Sequence, residues 1–254
     1  DYRMRLTLQI ITTLAFAFFS NYASAQADLE CYQKDPKGWY REHNVDLYKM
    51  HLDVKFDVMK KEVYGQVLYH FKPLQDKIDS IFLDAIEMQV HKIVGTKGEN
   101  LKYKSDSAGI TIFFDPKANP IKQDFSNHFE IHYTARPQKG LYFIGWDDTF
   151  NLSQKQIWSQ GQGIDNRHWI PSYDDGNDKL ITGLTVHFDS TYQVISNGLM
   201  TKKITDPLNK KMKIWTYEMT FPHASYLVML GIGKYKSKEM VSGKAGGNQV
   251  KNIQ

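Results

Sequence analysis

Eleven consecutive residues, Tyr48 to Val58, alternate between apolar and polar side chains. Tyr48, Met50, Leu52, Val54, Phe56 and Val58 interleave with Lys49, His51, Asp53, Lys55 and Asp57. A strand turns successive side chains to opposite faces, so this period of two predicts a β-strand with one face buried. Val63 to Phe71 repeats the pattern after the charged turn Lys60-Lys61-Glu62. Further strands are predicted over 80–83, 90–94, 110–114, 129–133, 181–188, 192–196, 213–220 and 226–232. Gly95, Gly98, Asp115-Pro116, Asn119-Pro120 and Arg136-Pro137 punctuate the first half as turns. No window carries a helical stripe longer than two turns. The expected fold is all-β: one large antiparallel sandwich or barrel-like sheet over residues 46–240.

Composition narrows the class. Hydrophobic residues make up 41% and charged residues 24% of the 254, as in an ordinary folded domain. That excludes a disordered tail, a collagen-like rod and a multi-span membrane protein. The formal charge of +4 is scattered along the chain, whereas nucleic-acid binding needs a clustered basic face. The single cysteine, Cys31, permits neither an internal disulfide nor a thiolate-rich zinc site.

The N-terminus reads as an export signal. Met4 and Arg5 precede an apolar run from Leu6 to Phe19, and Ala23-Ser24-Ala25 supplies a small-residue cleavage site. The run from Ile10 to Phe19 falls short of the roughly 20 apolar residues needed to span a bilayer. Cys31 follows Asp28-Leu29-Glu30, which is not a lipid-attachment pattern, so no stable membrane anchor is expected. Residues 1–25 are expected to be removed, leaving a leader over 26–45 and a periplasmic or extracellular protein. Three residues precede Met4, and Lys251-Asn-Ile-Gln254 closes no element. The chain is therefore expected to be part of a longer protein, with 241–254 beginning a connection.

Candidate chemistry is sparse. His128 and His132 flank Glu130, but alternation with Phe129, Ile131 and Tyr133 makes the segment a strand. At roughly 3.3 Å per residue the two histidines stand about 13 Å apart, too far to share a metal. Gly231-Ile-Gly233 and Gly243-Lys-Ala-Gly246-Gly247 lack the spacing and the following helix of a phosphate loop. No Gly-x-Ser-x-Gly elbow occurs. Asn151-Leu152-Ser153 fits a glycosylation sequon, which acts only in a eukaryotic secretory pathway. A bacterial source and an unmodified Asn151 are expected.

One stretch stands out: Trp158-Ser-Gln160-Gly-Gln162-Gly-Ile-Asp-Asn-Arg167-His-Trp169-Ile-Pro-Ser-Tyr-Asp174-Asp175. Gln160 and Gln162, two apart, face the same side if the segment is extended. Their carboxamide oxygens can accept hydrogen bonds from a ligand ammonium, and Arg167 can fork onto Asp174 or Asp175 to brace the loop. The pattern alone fits equally a polar connection between sheets with an internal salt bridge.

Ser159-Gln160-Gly161-Gln162, then Arg167, an aromatic-rich segment and Asp174-Asp175-Gly176-Asn177-Asp178-Lys179 resemble the N-terminal domain of the zinc aminopeptidase N family, which includes leukotriene hydrolase. Gly140-Leu-Tyr142 upstream is similar to that family's Gly-(Leu/Phe)-Tyr. Val194-Ile-Ser-Asn197-Gly198, Trp215, Pro222, Tyr226-Leu227 and Gly231-Ile-Gly233-Lys-Tyr235 follow in the family's order. The resemblance covers residues 46–236. Gly161 departs from a commonly larger residue, and Gly176-Asn177 from the usual proline.

The resemblance implies a β-saddle domain leaning on a thermolysin-like catalytic domain of the same chain. It implies that Gln162, with Gln160 shaping the pocket, contacts the free α-amino group of a peptide, and that Arg167, Asp174 and Asp175 support the loop. It implies zinc as cofactor, held in a downstream domain, because no His-Glu-x-x-His motif occurs here. The parent is then an aminopeptidase, and residues 26–254 alone are expected to be inactive. Two other readings stay open. One is a secreted β-sandwich module binding peptide or glycan on Tyr142, Trp146, Trp158 and Trp169. The other is a degenerate relative that kept the saddle and lost the metal.

Overall fold

The computed structural model describes residues 44–117 and 120–237, with the backbone of 239–245 and 248–253. The expected signal segment and nearly all of the leader lie outside the described residues, as do Asn119 and the Gly246-Gly247 pair. The strands are β1 (Val45–Asp57), β2 (Glu62–Pro73), β3 (Ser80–Asp84), β4 (Met88–Gly95), β5 (Lys102–Ser105), β6 (Gly109–Phe113), β7 (Asn127–Ala135) and β8 (Leu141–Ile144). They continue as β9 (Gln156–Ser159), β10 (Lys179–Asp189), β11 (Gln193–Ser196), β12 (Leu199–Thr205), β13 (Met212–Ala224), β14 (Leu230–Gly233), β15 (Glu239–Ala245) and β16 (Asn248–Ile253). Single 3₁₀ turns occupy Asp165–His168 and Ser225–Leu227.

A seven-stranded sheet runs β12-β13-β10-β1-β2-β7-β4. A four-stranded sheet (β11-β14-β9-β8), a three-stranded sheet (β3-β6-β5) and the β15-β16 hairpin complete the set. The all-β expectation holds, but the large sheet is mixed, not antiparallel throughout. β1 and β10 run parallel, pairing Lys49 with Ile181 through Val54 with Val186. Parallel neighbours need a long crossover, and here the chain from β2 to β9 supplies it, building the three-stranded sheet and the β8–β9 pair of the four-stranded sheet on the way. Alternation reports which face is buried and is blind to strand direction.

The inner face of the large sheet is the core. Leu52, Val54, Val63, Val67, Phe129, Ile131, Val186 and Trp215 are all fully buried there. Tyr48 departs from its expected inward position. The β1–β2 register slips between Asp46 and Lys49, so Val45, Leu47 and Met50 are buried and Tyr48 is left half-buried. A bulge resets the phase of alternation by one residue. Tyr48 instead donates its hydroxyl to the Phe125 carbonyl at 2.6 Å. The strand expected over 226–232 is also divided: Tyr226 and Leu227 sit in a 3₁₀ turn, and the strand begins at Leu230.

The outer face of the large sheet is polar. His51 Nε2 meets Thr185 Oγ1 at 3.0 Å, and His187 lies 3.1 Å from Asp53. His132 pairs with Glu130 at 2.5 Å on β7, a strand, so no helix turns it and His128 toward one metal.

Candidate functional site

β9 ends at Ser159, and the chain leaves the sheet through Gln160 into the 3₁₀ turn. The Gln160 amide donates to the Gly140 carbonyl at 2.8 Å, tying the exit to the start of β8. Gly140 has φ of +75°, and a Cβ there would fall 2.0 Å from the Asp165 carbonyl oxygen. Only glycine permits that approach. Gln160 and Gln162 are both exposed, and neither carboxamide has a hydrogen-bond partner among the described residues. Gln162 lies in the turn, not in an extended segment as expected, so their shared orientation does not follow from strand geometry.

Beneath them lies a buried polar knot. Arg167 Nη1 stands 3.1 Å from Asp84 Oδ1 and Arg167 Nε 3.4 Å from Asp174 Oδ2. Arg167 Nη2 also donates to the Asp174 carbonyl at 2.8 Å, and its amide to Asp174 Oδ2 at 3.1 Å. Asp174 accepts from Ser225 Oγ at 2.8 Å, and its own amide donates to Asp84 Oδ2 at 3.0 Å. Asn166 donates to the Ser225 carbonyl and accepts from the Trp169 indole, each at 2.8 Å. Burial pushes the Asp174 carboxyl above the ordinary carboxylate range, while the Ser225 hydroxyl and the Arg167 guanidinium pull against it.

The structure thus brings Arg167 and Asp174 together and leaves Asp175 apart. Asp175 accepts from the Asn177 amide at 3.3 Å on the surface. Asp84, Asn166 and Ser225 complete the knot, and sequence reading did not single them out. Asp84 closes a predicted strand as a lone carboxylate, and Ser225 and Asn166 carry no spacing signal. Gly161 acquires a reason: a Cβ there would stand 2.3 Å from the Asn166 amide nitrogen, so the knot fills the space.

The cavity behind the knot, bordered by Leu47, Tyr69 and Ser172, leaves about 10 Å³, room for one water. The aromatic platform of the alternative reading is not assembled. Trp169 is fully buried and donates inward, and Trp146 donates to the Gln156 carbonyl at 3.0 Å. Tyr142 and Trp158 stack on each other across β8 and β9, with centroids 4.9 Å apart.

A seven-stranded mixed sheet flanked by smaller sheets, with a loop held by a buried Arg–Asp brace, defines an all-β domain. The chain belongs to the Peptidase M1 N-terminal domain family, which matches residues 44–227. Among curated relatives it is similar to leukotriene A-4 hydrolase of Xenopus laevis, 21% identical over 213 residues, covering 81% of this chain and 34% of that protein. Leucine aminopeptidase 2-2 of Scheffersomyces stipitis is 24% identical, covering 76% of this chain and 29% of its own length. The chain therefore spans about a third or less of the curated relatives named. Among solved structures, the M1 zinc metallopeptidase of Deinococcus radiodurans superposes with a TM-score of 0.68 at 14% identity, covering 83% of this chain and 47% of that one. A mutant of that enzyme bound to a Tyr-Ser-Ala substrate superposes at 0.66, again at 14% identity, with 83% and 47% covered.

Proposed function

We propose that residues 46–240 are the substrate-anchoring N-terminal domain of an exported zinc-dependent aminopeptidase. Gln162 accepts a hydrogen bond from the free α-amino group of a peptide, and Gln160 shapes the same rim. The observation that carries this reading is two free carboxamides held on a rigidly braced loop of a Peptidase M1 N-terminal domain. A neutral amide supplies an acceptor without a charge, so it orients the ammonium more than it binds it.

Among the described residues no group of three or more His, Cys, Asp or Glu could hold a metal. These described residues do not fit a catalytic zinc. In this reading zinc and hydrolysis belong to a catalytic domain of the same chain, with 241–254 beginning the connection. Residues 26–254 alone then anchor peptide without cleaving it. Residues 1–25 act as a cleavable export signal followed by a leader over 26–45, which places the parent in the periplasm or outside the cell.

The test begins with the coding region beyond the Gln254 codon. The reading expects His-Glu-x-x-His there, and chelator-sensitive release of an N-terminal residue by the product. Peptides with an acetylated N-terminus should resist cleavage. A stop codon at that point, or equal cleavage of acetylated and free peptides, contradicts it.

A further inference from the structure

Eight histidines lie among the described residues, and seven of them have a hydrogen-bond or ion-pair partner. His70 has none. It is half-buried on the outer face of β2, directly opposite His128 on β7. The two imidazole centroids stand 5.6 Å apart with planes inclined at 43°. His128 is held on both sides: its amide donates to Thr96 Oγ1 at 2.9 Å and its carbonyl accepts from the same hydroxyl at 2.9 Å. Its Nδ1 faces the Ser126 carbonyl at 3.4 Å, which favours the tautomer with the proton on Nδ1 and the lone pair on Nε2. Metal-bound histidines are oriented by this kind of contact from the other ring nitrogen.

We propose that His70 and His128 form a two-imidazole clamp for a tetrahedral divalent cation of the Zn²⁺ type, with water filling the remaining positions. Zinc binds imidazole nitrogen at about 2.0–2.1 Å, which sets the two ring centroids about 5.2 Å apart at a tetrahedral angle and about 4.5 Å apart at a right angle. The observed centroid separation of 5.6 Å is within about 0.4 Å of the tetrahedral spacing and about 1.1 Å from the square-planar one, so with a ring nitrogen of each imidazole turned inward the pair suits the tetrahedral ion better. Two ligands on one side of a solvent-facing sheet make a site of modest affinity, and exposed Lys49, in register with His70, opposes the added charge. The clamp ties β2 to β7 across the outer face, independently of the function proposed above.

Calorimetric titration of Zn²⁺ into the untagged, chelator-stripped chain tests it. One saturable site is expected, and His70→Gln or His128→Gln should each weaken it by at least about tenfold. Because each single variant already loses the chelate, the double variant should lose less than the sum of the two single losses. His132→Gln, which removes a histidine already paired with Glu130, should leave the affinity unchanged. Co²⁺ in place of Zn²⁺ should give the visible absorption of a tetrahedral ion in the unsubstituted chain and not in the variants. Thermal unfolding in chelator checks that each variant keeps its fold, and His70→Tyr provides a second replacement at the same exposed position. Zn²⁺ affinity that survives both single substitutions, or losses that simply add, overturns the clamp.

Discussion

Arg167 is the residue on which the loop turns. Its guanidinium bridges two carboxylates that are 5% and 0% exposed, so its removal takes a paired cation out of a buried site. Breaking a buried pair in this way costs about 3–5 kcal/mol. Arg167→Ala is expected to lower unfolding stability by that amount in urea, while Asp175→Ala, on the surface, should change it by no more than about 0.5 kcal/mol. An equal effect of the two would remove the distinction drawn between Asp174 and Asp175. His70 makes a separate, pH-dependent prediction. Burial, then the neighbouring His128 and Lys49, lower its pKa below the ordinary 6.5. The unfolded chain then holds the proton more readily, so the contribution to stability is present above pH 6.5 and lost as pH falls through the lowered value. In chelator, His70→Gln should flatten the slope of stability against pH in that window, and an imidazole titration midpoint at or above 6.5 would contradict the shift.

At the scale of elements, strands were legible where a long alternating run turns one face to the core. The alternation from Met50 to Phe56 and from Val63 to Phe71 became the centre of the large sheet. What hid from the pattern had physical reasons. Every residue of β12 is exposed, so no apolar period marks it, and β8 and β9 are four residues each. The bulge before Lys49 displaced Tyr48 because alternation carries no signal for an extra residue in one strand. In the candidate site, Gln160, Gln162, Arg167 and Asp174 stood out by type and spacing. Asp84 and Ser225 did not, being 83 and 58 residues from Arg167 in sequence and joined to the site only by the fold. The turn itself is tested at Gly140, whose φ is +75° and whose Cβ would meet the Asp165 carbonyl. Gly140→Ala is expected to cost about 1–3 kcal/mol. Gly163→Ala, at φ +85° with nothing within 4 Å, should cost less, because it incurs backbone strain without a clash. Denaturant midpoints of the two variants decide it, and a reversed order would mean that the β8–turn contact does not constrain the loop.

For the whole molecule, fold class came from periodicity, while topology did not. Nothing local distinguishes β10 as a parallel partner of β1, since that pairing joins residues 132 apart. Membership in the Peptidase M1 N-terminal domain family places this arrangement among proteins of which the chain covers only a part. The function proposed for it rests on one acceptor on the rim, and that acceptor can be measured directly. In the full-length parent, Gln162→Ala removes a hydrogen bond of about 0.5–1.5 kcal/mol and should raise KM for a free-amino peptide about two- to tenfold, with kcat little changed. Gln162→Glu supplies a charge to the ammonium and should lower KM about fivefold. A KM unmoved by both substitutions would mean that the amino group is held elsewhere and that Gln162 is a loop residue without a role in binding.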